Sequence, residues 1–217
     1  MVDALRVFSD TVTVFDDGFT GRGGWKSRFA ASGPLYVELG TGKGQFLREM
    51  AQAHPEACFI GLEKEPGVLV QAVRKAHELG LANLKFILGD VQFLAQLFAP
   101  AEIDGLYVHF CDPWPKSRHD RRRLTHANFL RLYRQVMAPE GVIRFKTDNR
   151  DLFDYSLESF SSFGMDLLTV SYDFHQGEPA GSCIMTEYEE KFAAAGLPIH
   201  YCEARFGRPQ EETTENG

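Results

Sequence analysis

The sequence lacks several features that would point to other classes of protein. Its four cysteines include no pair with the C-x-x-C spacing of zinc or redox sites, so we expect reduced intracellular thiols. No stretch approaches the roughly 18 consecutive apolar residues of a membrane span. Acidic residues interrupt the N-terminus where a signal peptide would need an apolar stretch. We therefore expect a soluble, cytoplasmic protein whose fold needs neither a metal nor a disulfide.

The sequence also lacks an excess of positive charge. With 23 Lys and Arg against 30 Asp and Glu, its formal net charge is −7, which argues against a protein that coats nucleic acid. The exception is KSRHDRRR at residues 116–123, hereafter the basic segment, with a net charge of +4. It is either a solvated face or a phosphate contact. The second interpretation explains why cations precede a predicted helix, whose dipole disfavours them there.

Alternating apolar runs and helical patterns predict a parallel sheet with helices on both faces. Five strand-then-helix units begin at residues 35–39, 58–62, 84–88, 105–111 and 141–146. Two later strands, at residues 166–175 and 199–206, flank a predicted helix at residues 187–195. Their pattern is compatible with an antiparallel hairpin at one edge of the sheet.

Composition divides the chain into three parts. Residues 1–33 are rich in glycine and are predicted to form an irregular N-terminal arm, in which residues 12–15 have the pattern of a short strand. Residues 34–206 carry the strand-and-helix pattern of a globular domain. Residues 207–217 contain no large apolar side chain and are predicted to be a flexible tail.

A glycine-rich loop follows the first strand of the predicted domain. The G-x-G-x-G spacing of ELGTGKG differs from the G-x-G-x-x-G of dinucleotide folds, and Gly40 and Gly42 would let a ligand approach the backbone. Glu38, Glu63 and Asp90 also stand at strand ends, where such sheets bind ligands. Three carboxylates favour a cationic ligand such as S-adenosylmethionine over the pyrophosphate of NAD. A tight turn with solvated capping residues is the structural alternative.

The fourth strand ends in CDPWPK. Two prolines around a tryptophan stiffen the chain and remove backbone donors, so Asp112 and Lys116 would be held on a rigid aromatic lip. Such a lip can stack on a nucleobase, although a structural loop with a packed tryptophan has the same pattern. The fifth strand ends in KTDN, where Asp148 or Asn149 could cap the next helix. Thr186 and Glu189 have the spacing of a capping box.

Taken together, the segments VELGTGKGQFL, GLE, DPWPKSRHDRRRL, FKTDN and MTEYEEKF resemble the bacterial tRNA (guanine-N7-)-methyltransferases. The resemblance covers residues 34–206, and its most specific part is DPWPK followed by RH and an arginine run. It implies a Rossmann-like class I methyltransferase fold of the α/β class, with a seven-stranded, mostly parallel sheet that ends in an antiparallel hairpin. Residues 34–206 would then be an S-adenosylmethionine-dependent methyltransferase domain. It would methylate N7 of a guanosine in the tRNA variable loop, without a metal.

The resemblance also implies roles for individual residues. It assigns the catalytic role to Asp112. Together with the glycine loop, it implies S-adenosylmethionine contacts for Glu38, Gly40, Gly42, Glu63, Asp90 and Asp112. It implies substrate contacts for Lys116, Asp148, Thr186, Glu187, Tyr188 and Glu189. It implies RNA contacts for Arg118, His119, Asp120, Arg121, Arg122 and Arg123.

Other functions remain open at this point. The protein could be an NAD-dependent oxidoreductase, a non-catalytic RNA-binding subunit with this fold, or a methyltransferase for another base or for protein. It could be a monomer or a homodimer. The cationic and aromatic residues of the arm, namely Arg22, Trp25, Lys26 and Arg28, could also touch RNA.

Overall fold

The computed structural model describes residues 2–15, 19–176 and 184–207. These residues form one mixed α/β body with a single sheet. Its strands are β1 (Val12–Val14), β2 (Leu35–Leu39), β3 (Cys58–Glu63), β4 (Leu84–Leu88), β5 (Ile103–His109), β6 (Met137–Thr147), β7 (Met165–Ser171) and β8 (His200–Phe206). Its α-helices are α1 (Val2–Arg6), α2 (Gln45–Ala53), α3 (Pro66–Glu78), α4 (Leu94–Leu97), α5 (Ala127–Val136), α6 (Arg150–Ser162) and α7 (Glu187–Ala194). The tail beyond residue 207 and Cys183 lie outside the described residues.

The strand order is β1-β4-β3-β2-β5-β6-β8-β7. Strands β1 to β6 run parallel, whereas β8 lies antiparallel between β6 and β7. The predicted fold class is confirmed, with eight strands instead of seven because β1 pairs with β4 through Val12 and Phe86. The order reverses between β2 and β5, and this is the switch point at which open α/β sheets bind ligands.

Helices cover both faces of the sheet because each presents one apolar side to it. On one face, Leu47 of α2 and Leu69 of α3 are buried against Phe59 and Phe86. On the other, helices α4, α5 and α6 bury a second set of apolar side chains against the sheet, among them Leu97, Leu130, Tyr133, Phe153 and Phe160. The two cores hold the strand ends rigidly, so residues just after the strands are positioned by the sheet.

The N-terminal arm is fastened to the domain by its own side chains. Trp25 is fully buried and donates its indole N–H to the Leu97 carbonyl at 2.8 Å. The Glu102 carboxylate accepts the backbone N–H groups of Gly23 and Trp25, and Lys26 forms an ion pair with Asp104 at 2.7 Å. Trp25 therefore belongs to the core, and the expectation that it contacts RNA is wrong.

The described cysteines form no disulfide, and the described helices are not of the membrane-spanning kind. Cys58, Cys111 and Cys202 are free thiols. Within the described ranges, no helix has the length and apolar character that crossing a membrane requires.

Candidate active site

The glycine loop is built from three left-handed residues. Gly40, Gly42 and Gly44 have φ values of 74°, 57° and 68°, a region that other residues rarely adopt. A β-carbon at Gly44 would lie 3.0 Å from the Cβ of Ala72, so this glycine lets α2 and α3 pack closely. A β-carbon at Gly40 or Gly42 would meet no atom within 4 Å. Those two glycines thus leave open space above the loop, which is what a bound ligand needs.

The carboxylates predicted at the strand ends meet beside this loop. Glu63 accepts the Gly42 N–H at 3.0 Å through Oε2. Its Oε1 accepts the N–H groups of Lys64 and Glu65 at 2.9 and 3.0 Å. Asp90 accepts the Gln92 N–H at 2.9 Å and caps a short 3-10 helix. A carboxylate has about four acceptor sites, so both residues keep acceptor capacity toward the open side.

Glu38 lies deeper, below the loop. It is 4% exposed and accepts the Thr41 hydroxyl at 2.6 Å. Burial raises the pKa of Glu38 to about 8; the Thr41 hydrogen bond opposes this, and the negative charge of Glu63 adds to it. Its Oε1 lies 3.4 Å from Nδ1 of His109, whose pKa burial lowers well below its usual value. The neutral histidine supplies no counter-charge, so burial favours the neutral form of the Glu38 carboxyl, and a cation beside it would favour the ionised form.

The loop after β5 (residues 110–114, hereafter the Asp112 loop) leaves the side chain of Asp112 exposed to solvent. Asp112 is exposed, and no hydrogen bond joins its carboxylate to the part of the chain that the structure describes. Phe110 and Trp114, two residues on either side, have φ values of 48° and 42°. A left-handed backbone is costly for such large side chains. Its occurrence twice around one carboxylate is typical of a functional loop.

Cys111 does not offer an alternative chemistry. Burial raises the pKa of the Cys111 thiol to about 12, with a further contribution from the charge of Asp112. The raised pKa disfavours the thiolate at neutral pH, so Cys111 is a poor nucleophile.

The basic segment divides into two kinds of arginine. Arg123 donates to the carbonyls of Pro113 and Trp114, both at 3.1 Å, and its guanidinium lies 4.2 Å from the Tyr155 ring centre. It therefore fixes the Asp112 loop from below. Arg118 and Arg121 are exposed, and neither has a hydrogen bond or ion pair within the described ranges. These two keep all their donors for another molecule.

The two polar residues that follow β6, Asp148 and Asn149, differ in their contacts. Asn149 accepts the Leu152 N–H at 2.8 Å, so Asn149 rather than Asp148 is the N-cap of α6. Asp148 is exposed and makes no hydrogen bond within the described residues. Lys116 is likewise exposed, beyond the Asp112 loop.

The TEYE stretch forms the start of α7. Thr186 and Glu189 make both hydrogen bonds of a capping box, as predicted. Glu187 pairs with Lys43 of the glycine loop at 3.1 Å, which brings α7 next to that loop. Tyr188 is 59% exposed, whereas Glu189 is fully buried. Of these four residues, only Tyr188 and Glu187 are accessible to solvent, because Thr186 and Glu189 are buried.

Sequence reasoning missed the partner of Glu189. Lys146, in the middle of FKTDN, is buried, and its Nζ lies 2.8 Å from Oε1 of Glu189. His109 was missed too, although it stands only two residues before Cys111 on β5. A lysine or histidine inside an apolar strand pattern was the available signal, because buried charges in proteins are paired.

A cavity of about 280 Å³ lies on the α2 face of the sheet. It extends from His109 and Lys146 along α2 to His54. None of the predicted site residues is among its described lining. The cavity nevertheless adjoins them, because His109 lies beside Glu38 and Lys146 is paired with Glu189.

Comparisons with known proteins identify the family to which the chain is similar. Residues 32–202 match a family model described as "Putative methyltransferase". A tRNA (guanine-N(7)-)-methyltransferase of Halalkalibacterium halodurans is 52% identical over 194 residues, which are 89% of this chain and 87% of that protein. One from Listeria welshimeri is 46% identical over 206 residues, which are 95% of each chain.

Solved structures with low sequence identity share the fold. The 16S rRNA methyltransferase KamB superposes with a TM-score of 0.63 at 15% identity, covering 84% of this chain and 91% of its own. The antibiotic-resistance methyltransferase Kmr gives 0.58 at 17% identity, covering 83% and 90%. At these identities the likeness concerns the fold alone. The sequence matches, over nearly the full length of the relatives, show that the chain belongs to the tRNA (guanine-N(7)-)-methyltransferase family.

Proposed function

We propose that the protein transfers the methyl group of S-adenosylmethionine to N7 of a guanosine in the variable loop of tRNA. The observation that carries the proposal is the placement of Asp112. Asp112 follows β5, which pairs with the strand that leads into the glycine loop, and the basic segment with Arg118 and Arg121 begins four residues later. The names of the relatives support the same reaction.

The residues at the glycine loop fit S-adenosylmethionine, which supplies an activated methyl group on a sulfonium. Gly40 and Gly42 leave space for it, and a ligand with a sulfonium and an ammonium balances the surrounding carboxylates. Glu63 and Asp90, with their remaining acceptor sites, would bind ribose hydroxyls and the adenine amine. Glu38, which lies below the glycine loop, would face the cationic part of S-adenosylmethionine.

Guanine N7 needs little chemical help from the protein. It has an in-plane lone pair and carries no proton at neutral pH, so it can attack a methyl group without a general base. The base becomes cationic as it gains the methyl group. The carboxylate of Asp112 stabilises that developing charge and can accept from the N1 or N2 hydrogens of the purine. Position and charge, rather than proton transfer, are what this loop provides.

Recognition of the base and its backbone is assigned to residues that the structure leaves exposed. Asp148 and Tyr188 offer a carboxylate and a ring near the loop, and Lys116 offers a cation for a phosphate or carbonyl. Thr186 and Glu189 are engaged with each other in the capping box. Direct contact between Glu189 and a base would require α7 to shift.

The direct test is methyl transfer to an unmodified tRNA transcript, with the product mapped by borohydride and aniline cleavage at 7-methylguanosine. We expect a single cleavage site in the variable loop. A matched transcript with 7-deazaguanosine at that site lacks the N7 atom and should accept no methyl group. Labelling of the deaza transcript, or cleavage elsewhere, would contradict the assignment.

Binding of S-adenosylmethionine is expected to depend on pH through Glu38. Because burial raises the pKa of Glu38 to about 8, the carboxyl is mostly protonated at pH 6 and ionises as pH rises to 8. A cationic ligand favours the ionised form, so affinity should rise over this range and level off above it. Binding near pH 7 should release up to about one proton.

Calorimetry in buffers with different ionisation enthalpies measures that proton release. Glu38→Gln keeps the size of the side chain and cannot ionise, so it should bind more weakly and with a much flatter pH profile. Equal pH profiles for the wild type and Glu38→Gln would remove Glu38 from the cofactor site.

A further inference from the structure

Lys146 is joined to two parts of the site at once. Its backbone carbonyl accepts the N–H of Phe110 at 2.9 Å, at the point where β5 leads into the Asp112 loop. Its Nζ lies 2.8 Å from Glu189 of α7, and the two side chains are only 6% and 0% exposed. Removing both charges from water costs free energy. An ion pair is therefore an unfavourable way to attach a short helix if the pair contributes only to stability.

Glu189 has further contacts in the same place. Its Oε2 accepts the Thr186 N–H at 3.3 Å. Nε2 of His175 lies 2.9 Å from Oε1 without the geometry of a hydrogen bond. The ammonium of Lys146 also lies 4.4 Å from the centre of the Phe174 ring. One buried carboxylate thus connects β6, the turn after β7 and the start of α7.

The other side of α7 packs on Phe110. The Phe110 ring lies 6.2 Å from the Tyr188 ring and 6.0 Å from the Phe192 ring, with interplanar angles of 22° and 17°. Phe110 has the left-handed φ of 48° described above. A backbone conformation this unfavourable persists only when neighbouring contacts hold it. The described contacts of Phe110 are these two rings of α7 and the hydrogen bond from its N–H to the Lys146 carbonyl.

We propose that Lys146 is a positioning residue for methyl transfer. Its ion pair with Glu189 seats α7 against Phe110, and Phe110 in turn sets the conformation of the Asp112 loop. Lys146 touches neither substrate nor cofactor in this scheme. The inference rests on the proposed function, because its rate measurement requires methyl transfer. Its amide-exchange measurement needs no substrate and does not depend on that function.

The structure provides a matched control on the same strand. Arg144, two residues before Lys146 on β6, pairs with Glu203 of β8 at 3.0 Å. That pair joins neighbouring strands and reaches neither α7 nor the Asp112 loop. Arg144→Met and Lys146→Met each remove one cation and keep an unbranched side chain. The side chains of the Arg144 pair are more exposed, at 30% and 24%, so the global stability of both variants is measured alongside. A positioning effect is a loss of rate in Lys146→Met under conditions in which both variants are fully folded.

Lys146→Met is expected to slow single-turnover methyl transfer by about tenfold or more, because small misplacements of reacting groups have large effects on rate. Its dissociation constant for S-adenosylmethionine should stay within about threefold of the wild type. Amide exchange of residues 187–194 and 110–114 should accelerate by roughly tenfold or more. Lys146→Arg should restore part of the rate, and Arg144→Met should keep both wild-type rate and exchange.

A second variant keeps the test decisive if Lys146→Met does not fold. Phe110→Leu removes the ring stacked on α7 and leaves the ion pair in place, and it should slow transfer in the same way. Wild-type exchange and rate in Lys146→Met, or a wild-type rate in Phe110→Leu, would overturn the proposal. If the wild type itself fails to methylate tRNA, the proposed function is wrong, and the exchange data still report whether Lys146 seats α7.

Discussion

Asp112→Asn is expected to reduce the rate of methyl transfer by about 100-fold to 1,000-fold, the range found when one preorganised electrostatic group is removed from an active site. The amide keeps the size of the side chain and one acceptor oxygen, but it loses the negative charge that favours a cationic purine. The reason to expect a chemical effect lies in the environment of Asp112. Its exposed carboxylate has no hydrogen-bond partner within the described residues, so the substitution leaves no buried group unpaired.

The measurement is a single-turnover experiment at saturating S-adenosylmethionine and tRNA, combined with calorimetric affinity for the cofactor. We expect the cofactor to bind Asp112→Asn within a few-fold of the wild type. Asp166→Asn, on the exposed side of β7, removes the same charge far from the loop and serves as control. A rate for Asp112→Asn within threefold of this control would exclude Asp112 from the mechanism.

The regular elements could be predicted from sequence wherever one pattern was decisive. The limits of β2 and β4 match the predicted residues 35–39 and 84–88. In each, apolar spacing and a flanking glycine or polar residue agree. The prediction fell short for β6, which starts at Met137 instead of residue 141. Met137 pairs with Ile103, a contact that depends on residues far away in the chain.

The site residues, too, could be predicted where a local pattern placed them and could not where a long-range contact did. The carboxylates of Glu38, Glu63 and Asp90 could be placed together because parallel strands end at one edge of a sheet. The choice of Asn149 over Asp148 as helix cap could not be made, because both side chains cap well. The pairing of Lys146 with Glu189 spans 43 residues. No local pattern encodes it, since it depends on how α7 folds back over β6.

The arginines of the basic segment were predicted as one group, and the structure separates them. Arg123 is committed to the carbonyls of Pro113 and Trp114 and to the Tyr155 ring. Arg122 lies over the Trp114 ring at 4.8 Å. Arg118 and Arg121 have no such commitments within the described ranges. Arg118 and Arg121 therefore have the free donors that phosphate binding requires, and Arg122 keeps its N–H groups without a hydrogen bond in the described ranges although its guanidinium lies over a ring.

Replacing Arg118 and Arg121 together with glutamine is expected to weaken tRNA binding and to flatten its salt dependence. The log–log slope of affinity against salt should fall by about 0.7 to 0.9 for each lost phosphate contact. The rate at saturating tRNA should stay near the wild-type value, because neither side chain touches the Asp112 loop. Filter binding between low and moderate salt gives the slope, and single-turnover kinetics gives the rate.

Arg123→Gln is the comparison from the same segment, and it removes one positive charge where the double variant removes two. Loss of its two hydrogen bonds should loosen the Asp112 loop, so the rate at saturating tRNA falls while the salt slope stays near the wild-type value. If Arg123→Gln instead flattened the salt slope and left the rate unchanged, Arg123 would have to leave its carbonyl partners to bind phosphate. An unchanged slope in the double variant would show that Arg118 and Arg121 are only a solvated face. When the slope and the rate are compared per charge removed, two in the double variant and one in Arg123→Gln, the difference between them isolates what each guanidinium contacts.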